Sequence, residues 1–420
     1  MEGGDRLEGE EWREIRERLR ARGIKLLLEE PREEDGRWVV AEGRPPVPGR
    51  DGGVECLLLK EVSEGDEALC RNLREVGGLM CVRRGTRVLR KIPPEPGMPG
   101  VDVFGREVSP PPVKDAELRY GEGLVMEGPY LVVTTDGVLT EEGGVLSVRE
   151  EYVLSGDVDY KVGNIRFRGK RLEVKGTICH GFTVEAEGEL VIRRGIEDGA
   201  RVRVKGRLES EGVVAAQNTV VEVEGDAILR QVEYAFLRVS GNCKVSDYLL
   251  QTRTEVGGEL AVRGKGIVGG EITVKGSVFA TAVGSPAHVP TVLEIAPVKD
   301  LLSQRREILE RMEWVETNLE RVRCALKKAG SLSQQELVKK TEDLQKRLEE
   351  EKTSLEEKLK QIQEEIEQRR QAYLEVSDRL YGNTKIYLAD RILAIKEDLK
   401  GPLRVFLEEG EIRAACILSP

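Results

Sequence analysis

Seven short segments of this chain of 420 residues share one pattern: LEVKG (172–176), TVEAEG (183–188), RVRVKG (201–206), VVEVEG (220–225), FLRVSG (236–241), RTEVGG (253–258) and EITVKG (271–276). From Gly188 the closing glycines fall at 206, 225, 241, 258 and 276, spacings of 18, 19, 16, 17 and 18. Period-2 strands cut by glycine at a near-fixed interval are what a β-solenoid requires. A single strand of four or five residues cannot bury its inward face alone. Stacked coils about 4.8 Å apart pair their backbones in parallel and build a continuous aliphatic column. About seven coils make a rod roughly 30 to 35 Å long. No proline lies between Pro129 and Pro286, as interior ladder positions demand, and the 18 aromatics of the whole chain suit a narrow aliphatic interior. Leu172, Ile178, Val184, Leu190, Ile196, Val202, Leu208, Val214 and Val220 recur at a spacing of six, the rhythm of left-handed hexapeptide helices, but the register fails at Asp226, Arg238 and Lys244. The V-x-V alternation favours true strands, and a right-handed solenoid is expected from the crossover rule.

The flanking regions obey other rules. Twelve of the 17 prolines lie in the first 130 residues. There EEWREIRERLRARG places Trp12, Ile15 and Leu19 at helical spacing with Gly23 as a stop, RWVVA and CLLLKEV read as strands, and KIPPEPGMPGVDVFGREVSPPP reads as a stiff loop, a binding loop or a connector. GPYLVVTTDGVLTEEGGVLSV then gives strands joined at Asp136-Gly137 and Gly143-Gly144.

From Val298 to Leu380 there is one glycine, Gly330. Val298, Leu301, Arg305, Ile308, Met312, Val315, Leu319, Val322, Leu326 and Ala329 fall on a and d positions. Gly330 ends this helix, and Ser333 with Glu336 forms a capping box for the next. The second seam runs Leu337, Thr341, Leu344, Leu348, Glu351, Leu355, Leu359, Ile362, Ile366, Arg369, Tyr373, Val376 and Leu380, with a stutter between Leu355 and Leu359. A linker this short forces an antiparallel pair. Helices of about 45 and 70 Å would leave apolar seam for a partner, such as a second copy. Charges of 18 basic and 19 acidic over Val298 to Arg379 describe a solvated coiled-coil surface. The tail KIYLAD, ILAI, LRVFLEEGEIRAA returns to β patterning and is expected to protect the solenoid's open end.

The expected fold class is therefore mainly β with α. An α+β N-terminal domain (1–150) precedes a right-handed parallel β-helix (151–297). An inserted antiparallel coiled-coil hairpin (298–381) and a C-terminal β segment (382–420) capping the solenoid complete it.

Sixty-six basic against 76 acidic side chains leave a formal charge of −10, which argues against nucleic acid as a partner. No apolar run approaches the roughly 18 to 20 residues of a membrane span, and the acidic start MEGGDRLEGEEW lacks the features of a signal peptide, so a cytosolic protein is expected. Seven cysteines without a C-x-x-C suggest neither a disulfide framework nor a zinc site.

Several motifs invite chemistry. Gly264, Gly266 and Gly269 satisfy G-x-G-x-x-G, but EITVKG follows where a dinucleotide site needs a helix. Cys179-His180 suggests a nucleophile and base, yet strand neighbours point to opposite faces. Asp157 and Asp159 could share a strand face as a carboxylate pair, but capping of a turn suits GDVDYKVGN better. The reading is of no enzyme, with no catalytic residue, no cofactor and no metal assigned. The alternatives are a self-assembling solenoid in the manner of bactofilins, since open coil ends stack, and a β-helix acyltransferase using His180.

In order along the chain, VVAEGRPPVPGRDG (39–52), PGMPGVDVFG (96–105), GDVDYKVGNIRFRG (156–169), HGFTVEAEGELVIRRGIEDGA (180–200), GKGIVGGEI (264–272) and VGSPAHVPTVLEI (283–295) resemble the flagellar assembly protein A family. The positions the resemblance marks, for structural or interaction roles, are Gly97, Gly100, Asp102, Phe104, Gly105, Gly156, Asp157, Asp159, Gly163, Asn164, Gly269 and Gly270. Ile308, Met312, Val315, Leu319, Leu344, Leu348 and Leu355 mark the coiled-coil seam beside them. The resemblance implies an amino-terminal domain, a right-handed solenoid and a coiled coil. It implies a cytoplasmic, polar role in bacterial flagellar assembly, with flagellar regulators and a phosphotransferase-system component as protein partners. A homo-oligomer is left open.

Overall fold

The computed structural model describes residues 9–34, 37–58, 79–215, 218–329 and 335–417. The chain divides into two compact units, residues 1–76 with 82–149 and residues 77–81 with 150–420.

In the first unit helix α1, Gly9–Ala21, carries the amphipathic segment; Trp12 is buried and its indole N–H donates to the Glu29 carbonyl at 3.2 Å. Strands Gly53–Cys56, Arg87–Ile92, Tyr130–Val133 and Leu124–Glu127 form one antiparallel sheet. The expected strand CLLLKEV begins earlier than predicted and ends at Cys56, and residues beyond 58 in it lie outside the described ones. Gly137–Glu142 and Val145–Arg149 pair as a hairpin through Gly143 and Gly144.

The second unit is a β-solenoid of about eight turns. Each coil lays one strand on each of three faces, and parallel pairing stacks the coils in register. On the first face Leu172, Leu190, Leu208, Ala227, Cys243, Leu260, Val278 and Leu374 form one inward column. On the second, Ile178, Ile196, Val214, Val232 and Leu249 do so. On the third, Val184, Val202, Val221, Leu237, Thr254, Ile272, Leu293 and Ile386 do so. Nearly all are at most 3% exposed. A three-sided coil of 18 residues holds six per side, so the hexad rhythm is real over the early coils: Leu172, Ile178 and Val184 are one coil's three inward residues. It fails because Val221 follows Val214 by seven positions rather than six, which places Val221 rather than Val220 inside. The segment LEVKG also proves different in kind from its six fellows. It lies on the first face, whereas the other six lie on the third.

The closing glycines stack above one another at the corner after the third face. A Cβ on Gly206, Gly225, Gly241, Gly258 or Gly276 would sit 2.5 to 2.9 Å from the carbonyl oxygen of the glycine one coil below. Close backbone approach, not left-handed φ, therefore fixes the repeat.

After Ile295 the chain leaves the solenoid as α2, Lys299–Ala329, and returns as α3, Gln335–Arg370. Gly330 and Ser333 lie outside the described residues. The second helix is shorter than its heptad pattern implies. Tyr373 follows its end, and Val376 and Leu380 belong to strand Leu374–Leu380, which pairs with Val278–Val283 and is buried in the column. Parallel pairing to the waiting coil edge outweighs helix continuation, since both residues are fully enclosed there. The helices are thus 31 and 36 residues long, about 46 and 54 Å, so the mismatch in length that the heptads imply shrinks from about 25 to about 8 Å. Strand Thr384–Leu388 completes the last parallel strand. Beyond it Arg391–Ile395, Leu399–Lys400, Leu403–Glu408 and Glu411–Cys416 all pair antiparallel, closing the ladder.

Candidate interaction surface

In the first unit the proline-rich loop is not free. Arg44, Val47 and Arg50 exchange paired backbone hydrogen bonds of 2.8 to 3.0 Å with Val101, Met98 and Glu95. Bonding at every third residue is the polyproline II repeat, not the period of a β ladder. Gly49 packs against Glu95 and Gly97, and Gly97 and Gly100 pack against the backbone of Val47 and Arg44, so closely that no Cβ fits. The signal in the sequence was the triplet spacing of Gly43, Gly49 and Gly52 against Gly97 and Gly100. Asp102 ends the pair. Its Oδ1 accepts from the Phe104 and Arg106 N–H groups at 2.9 and 2.7 Å, and Gly105, at φ 81°, donates to the Asp102 carbonyl. Phe104 lies partly exposed beneath the Arg106 guanidinium, and Val47 and Met98 project outward, 56% and 71% exposed.

In the second unit the segment GDVDYKVGN forms the first corner of the solenoid. Asp157 Oδ1 accepts from Thr177 N–H at 2.7 Å, Asp159 Oδ1 from Lys161 N–H at 2.8 Å, and Asn164 Oδ1 from Thr183 N–H at 2.8 Å. Gly156 opens the segment, and Gly163, at φ 72°, donates to the Asp159 carbonyl. Two of these three side chains therefore hold the next coil. Tyr160, 94% exposed, meets Phe182 edge-on at 5.1 Å. Farther along, Gly269 and Gly270, at φ 68° and 87°, form a corner within strand Gly266–Val274, with Gly269 N–H donating to Thr291 Oγ1 at 3.0 Å. A strand, not a helix, follows these glycines.

The Cys179-His180 pair does not make an activated nucleophile. Burial, then the carboxylates of Glu197, Asp157 and Asp159, push the thiol up, whereas activation needs it lowered. His180 Nδ1 lies 2.7 Å from the Asp198 carbonyl, and its backbone N–H donates to Glu197. Among the described residues no group of three His, Cys, Asp or Glu side chains could hold a metal, and no helix is long and apolar enough to cross a membrane.

On the hairpin, Val315, Leu319, Val322 and Leu348 form a buried cluster flanked by Leu326 and Leu355, and Val298, Leu301 and Ile366 form another at its base. Ile308 and Met312 are half-buried. Leu344 departs from the predicted seam: it is 48% exposed, while its neighbour Gln345 is half-buried. Arg311–Glu351, Lys352–Glu316 and Arg323–Glu349 at 2.7, 2.7 and 3.3 Å link the helices across their flanks. Trp314, half exposed, lies under the Arg311 guanidinium at 4.0 Å.

A three-sided β-solenoid with a helical hairpin spliced into a late coil, preceded by an α+β unit, defines the class. A sequence model described as the Flagellar Assembly Protein A beta solenoid domain matches residues 150–412, and one described as the Flagellar Assembly Protein A N-terminal region matches residues 12–144. The chain belongs to the Flagellar Assembly Protein A family. Neither the curated proteins nor the solved structures yield a match.

Proposed function

We propose that this chain is a non-enzymatic scaffold that binds and positions regulatory proteins during flagellar assembly. In this reading it works in the cytoplasm at the cell pole, with a phosphotransferase-system component among its partners. The observation that carries the reading is the family match across both units. The raised Cys179 thiol and the engaged His180 ring support a non-enzymatic role. Residues 1–150, the solenoid together with the strands that close it, and the hairpin act as the chain's functional parts. The hairpin meets partners, while the side chains of Asp102 and Asp159 hold turns and those of Asp157 and Asn164 hold the next coil. End-to-end stacking of the bactofilin kind fits less well, because antiparallel strands close one end of the ladder.

A strain lacking this chain should lose or misplace its flagella; normal flagellation would refute the reading. Capture from cell extract with the full chain should recover flagellar regulators, and a form lacking 299–370 should not.

A further inference from the structure

The third face carries a charge pattern that its own fold uses only in part. In register along the rod stand Arg166, Glu185, Arg203 and Glu222. Two residues on, just past the end of each strand, stand Arg168, Glu187, Lys205 and Glu224, and the two rows wall an open groove of about 400 Å³. The face is thus crossed by four double stripes, two positive charges, two negative, two positive, two negative, one coil or about 4.8 Å apart; beyond them the first row alone continues into Arg238 and Glu255, where no second charge stands beside it. Within the chain Arg166–Glu185, Arg203–Glu222 and Lys205–Glu187 pair at 3.3, 2.8 and 3.4 Å, and Glu222 also meets Arg238 at 3.7 Å. The basic groups stay accessible, the side chains of Arg166, Arg203 and Lys205 being 78%, 66% and 60% exposed, and Glu185, Glu187 and Glu222 remain 39%, 47% and 30% exposed. A guanidinium has five donors, so one in-chain carboxylate leaves it able to bind another.

An even number of alternating stripes is complementary to its own reversal. We propose that this face of the first four coils docks a second copy of the chain, about a two-fold axis that lies in the interface and runs parallel to the strands. That operator reverses the order of the coils and keeps the position along each strand. Arg166 and Arg168 of one copy then face Glu222 and Glu224 of the other, and Glu185 and Glu187 face Arg203 and Lys205. A two-fold axis along the rod would instead set each stripe on its like, so charge selects one of the two face-to-face dimers. The patch measures roughly 15 by 13 Å, below the size of stable interfaces. The pairing is therefore weak and held by charge. It stands independently of which proteins the chain positions.

Analytical sedimentation of the full chain, at concentrations up to about 0.5 mM, tests this. At about 0.01 M salt, where the Debye length is about 30 Å, dimers should form. At about 1 M salt, where it is about 3 Å, their affinity should fall at least about tenfold. The swap Glu185→Lys with Glu187→Lys, and separately Arg203→Glu with Lys205→Glu, should each give monomers, since two stripe contacts become repulsive. Mixed one to one, the two variants should form a heterodimer, because every stripe then meets its opposite. The chain carrying all four substitutions should dimerise with itself again, which separates loss of docking from loss of fold. Circular dichroism on each variant confirms folding. A wild type that stays monomeric at low salt, swaps that leave dimerisation unchanged, or folded single-swap variants that fail to pair when mixed would overturn the proposal.

Discussion

At single positions the solenoid tolerates little, because each coil's backbone lies against the next. Gly206 has no need of left-handed φ, yet a methyl there would meet the Gly188 carbonyl oxygen at 2.5 Å. Gly206→Ala should cost about 3 kcal/mol and lower the unfolding midpoint by roughly 6 to 12 °C, read by calorimetry. Ser210 shows the opposite case. It occupies the inward column between Ile192 and Leu229, 2% exposed, and its hydroxyl has no hydrogen-bond partner among the described residues. Ser210→Ala removes the unsatisfied group and should stabilise the fold by about 1 kcal/mol; a destabilised variant would mean that the hydroxyl has a partner, such as an enclosed water.

Among the elements, the hairpin is held by a narrow seam. Leu319→Ala should open a cavity costing about 2 to 4 kcal/mol, seen as faster amide exchange in Lys299–Ala329 and Gln335–Arg370 with the solenoid amides unchanged. Leu344→Ala, at an exposed position, should cost under about 0.5 kcal/mol; equal effects would restore the register read from heptads. The tail is tied down by Asp398, whose Oδ1 accepts from Gly382 N–H at 2.9 Å and meets His288 Nε2 at 3.1 Å. The Gly382 N–H and then His288 hold its carboxyl below the usual 3.8. A depressed acid contributes stability that is fully present above its unfolded value and is lost as pH falls through the folded one. The stability difference between wild type and Asp398→Asn should therefore shrink as pH drops below about 4, measured by thermal melts from about pH 6 downward, where the protonation of His288 changes little.

For the whole molecule, the antiparallel strands after Leu388 decide whether the rod can grow. A parallel ladder ends in a row of unpaired N–H and C=O groups that invites another chain. Here Arg391–Ile395 and Leu403–Glu408 fold back over the last coil. Truncation after Leu388 should expose that edge, and light scattering should show association that grows with concentration beyond that of the full chain. A truncated form that scatters no more than the full chain would mean the cap has no protective role.

What the sequence determined by itself was the solenoid and its punctuation. Glycine at near-constant intervals and V-x-V strands admit few folds, because only stacking buries such short faces and only glycine allows the corner carbonyls so near. The alternation of Arg166, Glu185, Arg203 and Glu222 was equally present in the chain, but it became a pattern only when the register set those residues one above another. Tertiary structure alone decided where α3 stops, since Val376 and Leu380 satisfy a heptad as well as a strand and the coil edge above Val278 chose the strand. It alone decided that the proline-rich loop is half of a paired polyproline seam, because its partner, Arg44 to Arg50, lies some fifty residues away and the triplet glycines state a spacing but not a mate. Local pattern fixes what a segment can become; which neighbour completes its hydrogen bonds is settled only when distant segments meet.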